Sequence, residues 1–329
     1  MTIIKKYSLV LLIVLFSFIT VEASATTEEF EIKHADSLEA DEAEINIQGN
    51  ISIKYKDAII EAPNGKINTD QEGKPNKAIF CNHAKIKLKD RKIEADKITV
   101  SIQEETIYAE GKTSSELKDK SNNIITITAD YQELHWNGEN ANARGNIKTI
   151  YQDTRVTSDE VKVIYKNKKP YQAIFIGNAK QSYMEQENHK TSAKEFIFDI
   201  NTSDVYAKRE VTSTIWPYKT KPKNEQNPIL LNTDELFIDH KTGAVTAKSE
   251  INRVKITYED TKGESNEALF LKDEQNKKPE KIIFKGNANV SQSDKELSSE
   301  EVIFNFSDKK LTSNTITNIR PKTLIFKKG

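Results

Sequence analysis

Carboxylates held at a fixed register are the first candidates for chemistry in this chain. Asp96 lies in Ile93-Glu94-Ala95-Asp96-Lys97-Ile98. Asp130, Asp159 and Asp234 fill the same slot in Ile127-Thr128-Ala129-Asp130, Val156-Thr157-Ser158-Asp159 and Leu231-Asn232-Thr233-Asp234, and Glu300 fills it in Leu297-Ser298-Ser299-Glu300. Paired carboxylates can do acid–base work, and with histidine or cysteine they can hold a metal. A carboxylate that recurs at every strand start has a plainer role, which is to accept backbone N–H groups at a turn. An acid–base pair of the kind found in β-helix glycosidases and lyases stays open on sequence alone.

The other reactive residues are scattered. His34, His83, His135, His189 and His240 are all far apart, and none sits in a zinc-ligand spacing. His83 stands where sister segments carry the Asn of Gly-Asn-Ala, which suits a surface turn. Cys81 is the only cysteine, so it forms no internal disulfide, and a small apolar role on a strand suits it better than a catalytic thiol. No nucleophile elbow, P-loop or dinucleotide fingerprint occurs. The expectation is a protein without catalytic residues, metal or cofactor.

The elements that would position these residues repeat. Lys74-Pro75-Asn76-Lys77-Ala78-Ile79-Phe80-Cys81-Asn82-His83-Ala84 is echoed by Lys169-Pro170-Tyr171-Gln172-Ala173-Ile174-Phe175-Ile176-Gly177-Asn178-Ala179. It returns as Lys278-Pro279-Glu280-Lys281-Ile282-Ile283-Phe284-Lys285-Gly286-Asn287-Ala288. The small residue before the acidic slot falls at 40, 62, 95, 129, 158, 193, 233 and 299, with gaps of 22, 33, 34, 29, 35, 40 and 66. The last gap is twice 33. Such periods mean units that bury their apolar faces only by stacking on neighbours.

The units are strands. Apolar residues alternate with polar ones at Ile98, Val100 and Ile102, at Ile125 and Ile127, and at Val161 and Val163. Phe196 and Phe198, with Ile197 between them, and Val302 and Phe304, with Ile303 between them, keep the same spacing of two. A period of two puts each file on one face of a pleated strand, and β-branched and aromatic residues suit such a half-buried face. Phe175 matches Phe80 and Phe284 of the sister segments, and its face, shared with Ala173, Gly177 and Ala179, is expected to point inward. Gly49-Asn50, Gly145-Asn146, Gly177-Asn178 and Gly286-Asn287 interrupt alternating strands, which predicts bulges where the chain turns a corner. Trp216 to Pro228 carries three prolines and no alternation, and reads as a surface loop or a joint in the stack. The fold class is all-β, an open stack of repeated strands.

Residues 1–25 read as a secretory signal: Lys5 and Lys6, an apolar run from Leu9 to Thr20, then Ala23-Ser24-Ala25. The run falls short of the roughly 20 apolar residues of a membrane span, although an uncleaved inner-membrane anchor stays open. Lys5, Lys6 and Glu22 leave with the signal, so residues 26–329 carry 47 basic and 49 acidic side chains, a formal charge of −2. That balance gives no footing for nucleic-acid binding.

The residues carry a resemblance. Ala143-Arg144-Gly145-Asn146-Ile147 followed by Val156-Thr157-Ser158-Asp159-Glu160-Val161-Lys162-Val163 is similar to the OstA-like, LptA-type periplasmic proteins. Ile93 to Val100 followed by Tyr108-Ala109-Glu110-Gly111-Lys112 fits the same pattern, and the likeness runs from about Leu38 to Phe306. It implies an open β-jellyroll, two sheets around an apolar groove, in a periplasmic protein that carries lipopolysaccharide between the inner and outer membranes. Under that reading Ile98, Val100, Ile102, Ile125, Ile127, Val161, Val163, Phe175, Phe196, Phe198, Val302 and Phe304 line the groove. The partners are lipopolysaccharide or a similar lipid, and related jellyroll modules at the two strand edges, with head-to-tail self-association. The chain is longer than a typical LptA-type protein and ends without a following barrel. A structural β-solenoid with a packed core, serving as a surface or adhesion scaffold, is the alternative.

Overall fold

The computed structural model describes residues 30–41, 43–88, 91–119, 121–136, 140–218, 221–314 and 322–325. The signal segment lies outside them. The chain enters through β1 (Phe30–His34), β2 (Ser37–Ala40), β3 (Glu44–Tyr55), β4 (Ala58–Thr69), β5 (Pro75–Lys87) and β6 (Arg91–Ser101). It continues through β7 (Thr106–Lys118), β8 (Ile124–His135), β9 (Asn140–Tyr151), β10 (Thr154–Lys166), β11 (Lys169–Ile176) and β12 (Ser182–Gln186). Next come β13 (His189–Ala193), β14 (Glu195–Asp199), β15 (Val205–Ile215), β16 (Ile229–Ile238), β17 (Val245–Lys248) and β18 (Val254–Tyr258). The last are β19 (Thr261–Ser265), β20 (Glu267–Lys272), β21 (Pro279–Gln292), β22 (Lys295–Asn305), β23 (Leu311–Asn314) and β24 (Lys322–Ile325).

All pairings are antiparallel and join successive rungs, some of them made of two strands, so the sheet is one long meander. Each rung is a strand bent at its middle. Twelve rungs are single strands, and six are interrupted into the pairs β1/β2, β11/β12, β13/β14, β17/β18, β19/β20 and β23/β24. At about 4.8 Å per rung the stack is roughly 80 Å long. The bend divides the ladder into two leaves. Leaf A holds β1, the second half of β3 and the first half of β4. Leaf B holds β2, the first half of β3 and the second half of β4, and so on down the stack.

The corner between the leaves is built by the two repeated motifs. On alternate rungs two consecutive residues take positive φ: Gly49-Asn50, Asn82-His83, Gly111-Lys112, Gly145-Asn146, Arg209-Glu210 and Gly286-Asn287. The ladder register shifts at each of them, so these are bulges that turn the strand, as the pairs Gly49-Asn50, Gly145-Asn146 and Gly286-Asn287 predicted; at Gly177-Asn178 the strand breaks instead, β11 ending at Ile176 and β12 beginning at Ser182. On the intervening rungs stands the repeated acid. Asn146 Nδ2 donates to Asp130 Oδ2 at 2.7 Å, and Asn178 and Ala179 N–H groups donate to Asp159 Oδ2 at 2.8 Å. Ser249 Oγ donates to Asp234 Oδ2 at 2.6 Å. The carboxylates therefore cap the corner at mid-strand, not at the strand start as the sequence suggested. His83 sits in this row, 3.4 Å from Asp96 Oδ1 with its side chain 83% exposed. At Gly145 (φ 78°) a side chain would be strained, and its Cβ would lie 2.5 Å from Asp130 Oδ2.

The leaves face each other across a packed interior. Gly263 of leaf A makes room for the ring of Phe284 from leaf B, since a Cβ on Gly263 would lie 2.2 Å from that ring. On either side of the proline-rich segment, β15 and β16 pair from Val205↔Ile238 to Ile215↔Ile229.

Candidate functional site

The inward face of leaf B carries one unbroken file. Phe80, Ile98 and Ala109 are cross-strand partners, followed by Gln132, Ala143, Val161, Phe175 and Phe196. It runs on through Ala207, Leu236, Ala247 and Ala268 to Phe284 and Val302. Gln132 is its one polar member. Its Nε2 donates to Thr113 Oγ1 at 2.8 Å and to the Ile127 carbonyl at 3.1 Å. Both donor positions of that buried amide are thus used, which keeps its burial cheap.

Of the residues expected to line a groove, Ile98, Val100, Val161, Val163, Phe175, Phe196, Phe198, Val302 and Phe304 are buried on this face of leaf B. Ile125 and Ile127 are buried in leaf A. Ile102 lies one residue past β6 at the strand's mouth and is only half-buried. Ala173 and Gly177 share Phe175's inward side, but Ala179 does not. It is exposed in a wider excursion at the corner, where its N–H serves Asp159, whereas its counterparts Ala84 and Ala288 are buried. Of the facing file of leaf A the sequence reading named only Ile127; there Ser115, Thr149, Thr191 and Ser213 are interleaved with Ile127, Val156 and Met184. Hydroxyls broke the apolar signal there, although the period of two persists.

The free ends of the strands form two lips that meet along a seam opposite the corner. Lys56 Nζ lies 3.0 Å from Glu105 Oε1, and the rings of Tyr55 and Trp136 meet at 5.0 Å. Arg91 lies over the Tyr165 ring at 5.9 Å. Toward the far end Lys309 Nζ lies 2.6 Å from Glu259 Oε2, and Tyr258 packs on Phe306 at 5.0 Å. Among the described residues no strand pairing crosses this seam. Among the described residues the side chains behind it are buried against one another, and a cavity beside Gln132, Leu134, Ala141 and Val163 measures only about 10 Å³, room for about one water. A hollow of about 110 Å³ breaches the seam between Gln186, Asn188 and His189 on one lip and Asp239, His240 and Lys272 on the other.

His189 stands behind that breach, 2.6 Å from Ser213 Oγ, which in turn meets Thr191 Oγ1 at 2.9 Å. Burial, with Lys272 adding to it, pushes the imidazole pKa down to about 3. The folded chain thus holds His189 neutral while the unfolded chain protonates it near 6.5. Stability from this group is complete above 6.5 and is lost as pH falls toward 3, at about 1.4 kcal/mol per unit. Urea unfolding should therefore show a loss of about 2 kcal/mol between pH 7 and pH 5, much reduced in His189→Gln. Equal pH slopes for the two proteins would exclude this role.

Among the described residues no group of three or more His, Cys, Asp or Glu could hold a metal ion. Corner, files and seam together define a corner-folded antiparallel β stack, all-β and open at both ends. No family model and no curated protein matches the chain. Among solved structures it is similar to LptH of Pseudomonas aeruginosa, the LptA-homologous periplasmic component of the conserved lipopolysaccharide transport device. The two share 16% identity with a TM-score of 0.33, over 41% of this chain and 93% of that one.

Proposed function

We propose that this protein is a periplasmic lipid carrier that holds acyl chains between its two leaves, with lipopolysaccharide as the cargo its repeated motifs suggest. The observation that carries this reading is the continuous inward file of leaf B, apolar but for Gln132 and closed along one side only by side-chain contacts. A twelve-carbon acyl chain leaving water gains on the order of 10 kcal/mol. Exposed ion pairs such as Lys309–Glu259 are each worth about 0–1 kcal/mol. The seam is therefore the cheapest boundary in the molecule to part. The end rungs support a place in a longer assembly: among the described residues β1/β2 and β23/β24 are each paired on one side only, which leaves backbone groups free for strand addition by related modules.

The filled interior favours a second reading, a structural scaffold with a dry core. A photoreactive residue placed at Ile98, Phe198 or Phe304, with radiolabelled lipopolysaccharide, separates the two. Adducts at these inward positions support the carrier. Their absence from a folded protein at all of them supports the scaffold.

A further inference from the structure

The outer face of leaf B differs between its two ends. Ile174, Ile197, Tyr206 and Phe237 are successive cross-strand partners that point outward. After Thr246 the same row continues with Leu269, Ile283 and Ile303. Tyr206 is 44% exposed, and its ring lies 4.6 Å from that of Phe237. Followed the other way, the same row turns polar, with Lys162, Asn142 and Glu133. On the outer face of leaf A the corresponding rungs carry Lys190, Thr214, Leu230, Thr257, Lys262 and Ser291. The apolar row is thus confined to one face of one half, and at about 4.8 Å per rung it is roughly 34 Å long.

A charged row runs beside it, two residues nearer the corner. Glu195, Lys208, Glu235 and Lys248 alternate in sign on consecutive rungs, and Glu267, Lys285 and Glu301 continue the alternation. A shallow hollow of about 280 Å³ opens at the centre, lined by Tyr206, Lys208, Glu235, Phe237, Thr246 and Lys248.

We propose that this face pairs with the same face of a second copy, about a twofold axis midway between the rungs of Phe237 and Thr246. The row spans eight rungs, so its centre falls between two rungs and not on one. That position decides the electrostatics. An axis on a rung would set Glu against Glu and Lys against Lys. Midway between rungs it sets Glu235 against the partner's Lys248, Lys208 against the partner's Glu267, and Glu195 against the partner's Lys285. The same operation places Phe237 over the partner's Thr246, where the hollow receives the ring, and pairs Tyr206 with the partner's Leu269. An aromatic anchor in a central pocket with charged pairs at the rim is how binding energy concentrates in an interface. The patch is narrower than a standard interface of about 800 Å² per partner, so the dimer is reversible. Because the contact is isologous it closes at two copies, unlike strand addition at the ends.

Sedimentation velocity of the purified protein over a wide concentration range tests this. A monomer–dimer equilibrium is expected, with the dissociation constant raised at least tenfold by Phe237→Lys, by Glu235→Lys and by Lys248→Glu. Mixing the two charge variants in equal amounts is expected to restore a heterodimer, because each then presents the sign the other lacks. Circular dichroism matching the wild type keeps the comparison to folded protein. A monomer at all concentrations, a dimer indifferent to all three substitutions, or failure of the mixed variants to pair would overturn the proposal. Binding of the monomer to phosphatidylglycerol vesicles through Phe237 would also overturn it, assigning the face to a membrane surface.

Discussion

Phe175→Asp is expected to remove the stack's middle rungs from the folded state, with a loss of more than 5 kcal/mol. Phe175 is 2% exposed, lies opposite Val161 and Phe196 on its two neighbouring strands, and meets the Phe198 ring edge-on at 5.6 Å. Truncating a buried Phe costs about 3–5 kcal/mol. A carboxylate at that site would add several more, since none of these neighbours can donate a hydrogen bond to it from a side chain. Neighbouring rungs fold by packing on each other, so the damage should spread through adjacent strands before it reaches the ends. Ile174→Asp, measured at a protein concentration low enough to keep the chain monomeric, is the control. Its side chain lies one residue away on the outward, half-exposed face, so its cost should stay near 1 kcal/mol or below. Urea unfolding of both variants distinguishes the cases, and equal costs would mean that the two faces of this strand are not inside and outside.

The contrast between Phe175 and Ile174 also shows what the sequence could and could not reveal. Strict alternation, as in Ile125-Thr126-Ile127, names the inward face without ambiguity, and the structure buries both isoleucines. Where a strand reads Ala173-Ile174-Phe175-Ile176 or Ile282-Ile283-Phe284, both faces are apolar and the period of two vanishes. Such runs belong to strands that are covered on both sides. Single runs of this kind also occur early, as at Ala78-Ile79-Phe80, but only in the second half do they fall on consecutive rungs and build the outer row of leaf B, a feature that no single strand discloses because it exists only across rungs. The corner was legible, since Gly-Asn pairs inside strands have few other uses. The seam was not. Its contacts join residues such as Lys56 and Glu105, or Glu259 and Lys309, that are 49 and 50 positions apart, and they follow from how far each leaf curves rather than from local pattern.

Locking the seam is expected to abolish lipid uptake if cargo enters from the side. Cysteines at Lys56 and Glu105, and at Glu259 and Lys309, would stand where side chains from opposite lips already meet. Cys81, the one native thiol, is half-buried in β5 and would first be changed to Ala. A short thiol-reactive bridge suits these sites better than a direct disulfide, because cysteine is shorter than the ion pairs it replaces and disulfide geometry is demanding. With both bridges in place, uptake of radiolabelled lipopolysaccharide should fall by at least tenfold. The same double-cysteine proteins left unbridged should bind as before. The physical reason lies in where the molecule is weakest. Antiparallel ladder bonds hold every rung to the next, and breaking one rung exposes a row of backbone groups. The lips are held by partly exposed ion pairs and a few ring contacts, which can part without unpairing any strand. Full uptake by the bridged protein would mean that acyl chains thread in from the open ends. Absence of uptake by both forms would point instead to the dry-core scaffold.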